Sequence, residues 1–202
     1  MNGWLRFAAG ELTVDMDSAV AQRVGAATDV QLAPPALAHT RRVQLTWQQP
    51  VAQNLHYETR LAWAGVHDPA SAVDLQTLGS RWSVRGFDAQ DFLTGQAQIT
   101  WRQDLRLPGL TAAWLPVVQM QPYLGLDYGR ITAVMASAPA APSTRKPGGV
   151  LAGAAAGLRW AGHGFSGDLA LAAPVHKPDG FVASSAVLYA SVTFNYWLGR
   201  LW

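Results

Sequence analysis

Polar and apolar residues alternate with a period of two along most of this 202-residue chain. That period marks β-strands whose two faces meet different surroundings. In LHYETRLAW, Leu55, Tyr57, Thr59, Leu61 and Trp63 fall on one face, and His56, Glu58, Arg60 and Ala62 on the other. In VVQMQPYLGLDYG, Val118, Met120, Pro122, Leu124, Leu126 and Tyr128 share the apolar face. Gln119, Gln121, Tyr123, Gly125, Asp127 and Gly129 share the opposite, polar one. In GVLAGAAAGLRW the same parity sets Gly153, Ala155 and Gly157 apart from Ala154, Ala156, Leu158 and Trp160. The first three are small enough to leave room above their face.

The alternation predicts about eight strands, over residues 4–16, 42–50, 55–66, 95–107, 117–130, 149–161, 165–174 and 185–198. Most exceed the usual globular strand length and suit tilted strands that cross a bilayer. The connections PVAQN, PGLTAAWLP and AGHG are short, whereas those over 17–41, 67–94, 131–148 and 175–184 are mostly long. Short and long connections alternate, as the periplasmic turns and extracellular loops of an outer-membrane barrel do. Trp47, Trp63, Trp101, Trp160 and Trp197 are read near strand ends, where an aromatic girdle would lie. Patterning alone leaves a soluble β-sandwich with apolar inner faces open as the alternative.

Composition shifts the balance toward the membrane. Only 14% of residues are charged, 50% are hydrophobic, and there are nine tryptophans. The longest apolar run, within GVLAGAAAGL, falls far short of the roughly 20 residues a spanning helix needs. Strands closed into a barrel are then the remaining way across. The net charge of +2 comes from scattered arginines without a basic stripe, which argues against nucleic acid as a partner. There is no cysteine for a disulfide or a thiolate metal site. His39, His56, His67, His163 and His176 are dispersed, so no metal site is expected. Neither a Gly-x-Ser-x-Gly elbow nor a phosphate loop is present, so neither an enzymatic step nor a cofactor is expected. The start, MNGWLRFAAGELTV, lacks the charged head and apolar core of a signal peptide.

Two stretches carry candidate function. SAVLYASVTFNYWLGRLW alternates Leu188, Ala190, Val192, Phe194 and Tyr196 with more polar residues and closes on Trp202. It resembles the last strand by which bacterial outer-membrane barrels are recognised for assembly, making Phe194, Tyr196 and Trp202 a candidate signal for the barrel assembly machinery. LGSRWSVRGFDAQDF sets Arg85 between apolar neighbours. That arginine is either a solvated turn residue or a fixed cation in need of a partner.

LGSRWSVRGF, followed by a strand and then QPYLGLDYGR, resembles the paired signatures of two-partner secretion transporters, the haemolysin secretion and activation barrels. Outer-membrane protein assembly factors belong to the same superfamily. LAGAAAGLRWAGHGFSGDLALAAPVHKPDGF is similar to that family's C-terminal segment. The resemblance implies an all-β, antiparallel transmembrane barrel of sixteen strands, with residues 1–202 as its C-terminal half. On that reading, the POTRA domains and a signal peptide lie outside this chain. It further implies a bacterial outer-membrane location amid lipid and lipopolysaccharide. The implied partner is a large unfolded exoprotein of haemolysin or adhesin type, passing through the lumen. Within the barrel, a loop carrying Val84, Arg85, Gly86 and Phe87 would fold back into the lumen. Arg85 would pair with Asp127, beside Gly129, while Gly86 permits the tight tip and Val84 or Phe87 anchors it. An assembly factor, or a small structural or adhesive eight-stranded barrel, is the alternative expectation.

Overall fold

The computed structural model describes residues 2–7, 10–22, 37–67, 75–112, 115–132, 145–162 and 164–194. In chain order the first strands are β1 (Asn2–Phe7), β2 (Gly10–Gln22), β3 (Leu37–Ala52), β4 (Leu55–His67), β5 (Gln76–Leu78) and β6 (Phe92–Gly95). They are followed by β7 (Ala97–Arg106), β8 (Leu110–Ala112), β9 (Leu115–Ile131), β10 (Arg145–Pro147), β11 (Gly149–Gly162), β12 (Phe165–His176) and β13 (Val187–Phe194). One large sheet runs β1-β2-β3-β4-β7-β9-β11-β12-β13, with β8 paired beside β9. Each long strand pairs antiparallel with the next long strand in the chain, an up-and-down meander. β5, β6 and β10 form a separate three-stranded sheet.

The alternation explains why these segments pair as they do. On β9, Tyr123, Gly125, Asp127, Gly129 and Ile131 are buried, whereas Leu124, Leu126 and Tyr128 are exposed. β4 turns Leu61 and Trp63 outward and buries Glu58 and Ala64. β12 exposes Leu169 and Leu171 and buries Ala170 and Ala172, and β13 exposes Leu188, Val192 and Phe194. The apolar face is thus bare and the polar face is covered, the reverse of a water-soluble sheet. A β-sandwich would place its second sheet over the apolar face. Here the small sheet and its loop touch the polar face instead, through an apolar cluster of Leu78, Val84, Phe87, Leu93, Ile131, Leu151 and Phe181. Lipid is the surrounding that leaves such an outward face satisfied.

Three local features depart from the sequence reading. The expected strand over 4–16 is two strands, with Phe7 opposite Gly10 and Leu5 opposite Leu12. Apolar residues fall at odd positions in Leu5 and Phe7 and at even ones in Leu12, Val14 and Met16. A slip of one in the period-two phase is what a tight hairpin leaves in sequence. The expected strand over 95–107 continues past a break at 107–109 into β8. Arg106 faces Tyr123 and Leu110 faces Met120, so one extra residue is accommodated where Pro108 removes a donor. Trp101 sits in mid-strand rather than at an end, opposite Leu61 and Tyr128. Its indole N–H donates to Thr59 Oγ1 at 2.7 Å, which satisfies the group away from an interface. Trp197 lies outside the described residues.

Candidate functional site

The connection from β4 to β7 returns to the sheet. Gln76, Thr77 and Leu78 pair with Gly95, Thr94 and Leu93, closing the base of the loop, and β10 adds to β6 in parallel. Beyond that base, the amides of Gly79 and Ser80 both donate to Ser83 Oγ at 3.1 Å. The amides of Ser83 and Val84 donate to Ser80 O at 3.0 Å. This compact turn presents residues 84–87 to the polar face of the sheet, where all four are buried.

Arg85 is 3% exposed and so is Asp127. Arg85 donates its backbone N–H and its Nε to Asp127 Oδ2, both at 2.8 Å, and its Nη2 to Asp127 Oδ1 at 2.6 Å. Nη2 also donates to Asp104 Oδ1 at 2.7 Å. Such a forked, charge-assisted arrangement is one a lysine cannot reproduce. Burial by itself disfavours the guanidinium cation, but the hydrogen bonds and charges of Asp127 and Asp104 override it. The pKa of Arg85 is therefore raised above its ordinary value. Asp104 Oδ2 in turn accepts from Arg159 Nη2 at 2.6 Å, and the Arg159 guanidinium lies 4.3 Å from the centre of the Tyr123 ring. Tyr123 donates its hydroxyl to Asp168 Oδ2 at 3.1 Å.

Glycines on the wall make the seat. Asp104 faces Gly125 across β7 and β9, and Asp127 faces Gly153 across β9 and β11. A Cβ on Gly125 would overlap the Arg85 guanidinium, and one on Gly153 would overlap the Arg85 carbonyl oxygen. A Cβ on Gly129 would come within 2.6 Å of Leu78 Cδ1 and 2.7 Å of Val84 Cγ2. Gly86 has φ +99, and a Cβ there would lie 2.5 Å from the backbone of Ala173. Only glycine combines that left-handed backbone with so close an approach. At the tip, Tyr189 on β13 donates its hydroxyl to Phe87 O at 2.7 Å and accepts from Gly86 N at 3.2 Å.

The segment that returns from the tip toward β6 is held by the connection between β12 and β13. Phe181 meets Phe87 edge to face, with ring centroids 5.6 Å apart. Val182 N donates to Asp91 Oδ2 at 3.1 Å, and Ser184 Oγ donates to Asp88 Oδ2 at 2.7 Å. That hydroxyl is the main reason the Asp88 carboxyl lies below its ordinary pKa. Beside Arg85 a cavity of about 320 Å³ is bordered by Arg60, Arg81, Arg102 and Arg159 together with Glu58, Asp104 and Asp168. Like charges face each other across β4 and β7, Glu58 opposite Asp104 and Arg60 opposite Arg102. Such pairs are unfavourable by themselves. Here Glu58 is bonded to Arg60 and Arg106, and Asp104 to Arg85 and Arg159.

The structure brings Val84, Arg85, Gly86, Phe87, Asp127 and Gly129 together at one seat. Phe194 lies apart from it, exposed at the end of β13. Tyr196 and Trp202 lie outside the described residues. Sequence reasoning missed Asp104, Arg159 and Tyr189. Their signal was present, because parity along each strand puts all three on the polar face. What was lacking was the register that sets those strands beside one another. Among the described residues no group of three or more His, Asp or Glu is placed to hold a metal ion. What the site does chemically is hold a loop against a wall.

A lipid-facing antiparallel meander with a loop bound to its polar face is the architecture of an outer-membrane transporter. Residues 4–160 match the haemolysin secretion/activation protein family ShlB/FhaC/HecB, and the chain belongs to that family of outer-membrane secretion proteins. Among its relatives is the outer membrane transporter CdiB-2 of Burkholderia pseudomallei (strain 1026b), 32% identical over 150 residues. That match covers 71% of this chain and 23% of the relative. CdiB from Escherichia coli shares the fold with a TM-score of 0.73 at 24% identity, over 96% of this chain and 35% of that one. CdiB from Acinetobacter baumannii does so with a TM-score of 0.62 at 21% identity, over 96% and 32%. The chain thus spans about a quarter to a third of the length of these proteins.

Proposed function

We propose that this chain supplies wall and loop to an outer-membrane channel through which a large unfolded exoprotein, of haemolysin or adhesin type, is secreted. The polar face is the lumen, surrounded through the apolar face by lipid and lipopolysaccharide. The loop carrying Val84, Arg85, Gly86 and Phe87 is the transport element. The observation that carries this reading is the four-fold hydrogen bonding of one buried arginine to Asp127 and Asp104. A sheet needs no such buried cation to stay folded, and an ion pair held out of water is a poor source of stability. Its use is to fix one loop position that can be exchanged for another. Phe194, Tyr196 and Trp202 act in delivery, read by the barrel assembly machinery.

The test is secretion by cells that express the transporter with its exoprotein. Arg85→Ala should lower the exoprotein in the medium at least tenfold while the amount of heat-modifiable barrel in the outer membrane stays near wild type. Secretion at the wild-type level from an Arg85→Ala barrel would remove the loop from the mechanism.

A further inference from the structure

We infer that Tyr189 is a positioning residue, a neutral clamp that ties the loop tip to β13, so that seating of the loop and docking of β13 are coupled. Among the described residues the hydroxyl bonds only backbone groups of the tip, Phe87 O and Gly86 N. It therefore holds the loop independently of the charges around Arg85. A second tether runs the same way. Arg81, four residues before Arg85, donates to Ala190 O at 3.4 Å and to Ser191 Oγ at 3.5 Å, and its guanidinium lies 5.5 Å from the Tyr189 ring centre.

The significance lies in where β13 sits. It is the last strand of the sheet order, and among the described residues its ladder runs to β12 alone, from Phe165 opposite Phe194 to Ala172 opposite Val187. The loop adds contacts on the polar face at Tyr189, Ala190 and Ser191, in the middle of this strand. If a seated loop favours docked β13, a docked β13 must favour the seated loop by the same factor. The loop would then report on the strand, and the strand on the loop. The coupling is a property of the fold; its meaning in transport rests on the reading of the loop given above.

Amide hydrogen exchange on the full chain in detergent micelles tests it. Tyr189→Phe keeps the ring and removes the hydroxyl. Exchange should rise about five- to tenfold over residues 84–87, the worth of one or two net hydrogen bonds, and by a similar factor over 187–192. Residues 123–129 of β9 should exchange as in the parent. Arg85→Ala, which releases the loop from its other side, should also speed exchange over 187–192. Tyr57→Phe, which removes a hydroxyl bonded to Gln103 on the face of the sheet opposite the loop, serves as control and should leave both regions unchanged. The inference is overturned if Tyr189→Phe leaves 84–87 unaltered, if it speeds β3, β4 and β9 equally, or if Arg85→Ala leaves 187–192 at the parent rate. Loss of secretion in Arg85→Ala without a response in β13 sinks the coupling alone. A response in β13 with intact secretion sinks the transport reading alone.

Discussion

Asp127→Asn isolates the charge at the seat with little change of shape. The carboxylate accepts three bonds, from Arg85 N and Nε on Oδ2 and from Nη2 on Oδ1. An amide oxygen in the Oδ2 position keeps the first two. Its NH₂ then faces Nη2, donor against donor, where a 2.6 Å bond had been. The buried guanidinium also loses its nearest countercharge. Breaking a buried pair from one side costs about 3–5 kcal/mol. Asp104 still reaches Nη2 at 2.7 Å, so the lower end applies, ~3 kcal/mol or roughly 150-fold in the ratio of seated to released loop. The chain has no cysteine of its own, so Ser83→Cys offers a single buried thiol in the loop as reporter. Its maleimide labelling should accelerate by about two orders of magnitude when Asp127→Asn is added, while the sheet keeps its melting transition. Adding Asp127→Asn to Arg85→Ala should accelerate labelling little further, because the two side chains act as a pair. Labelling within threefold of the Ser83→Cys parent would refute the account of the seat as a charge-fixed state.

Two other substitutions probe the wall and the outer face. Gly153→Ala places a methyl on the Arg85 carbonyl oxygen and should unseat the loop without altering any charge, read as faster labelling of the same cysteine. Unchanged labelling would show that the glycine seat is not needed. Leu126→Arg puts a cation on the exposed apolar face between Leu124 and Tyr128. Folding into lipid vesicles, measured by urea titration, should weaken by about 2–4 kcal/mol if that position lies near the bilayer midplane. A change below about 0.5 kcal/mol would mean that the face does not meet lipid.

How much could be read in advance varies from element to element. β9 shows the legible part: alternation fixes which side chains share a face, and from Tyr123 to Gly129 the structure buries the set that contains Asp127, whereas nearer the strand's start Val118 is buried and Gln119 exposed. The hairpin between β1 and β2 shows the limit, since the phase slip between Phe7 and Gly10 carries no strong turn signature and reads as one strand. The seat was legible in part. Gly125, Gly153 and Gly129 marked a wall without side chains, but nothing local to them told what would fill the space.

The order of residues alone establishes that the chain is β-structured and which residues share a face, because a strand's side-chain period is a local property of its own backbone. It also determined that a glycine follows Arg85 where only glycine fits a tight tip. Folding in three dimensions is what makes Asp104 and Tyr189 bond this tip and sets Arg159 behind Asp104. They come from β7, β11 and β13, and only the register among those strands, set by hydrogen bonds between segments distant in the chain, brings them there. Parity is a matter of one strand, and a site is a matter of several.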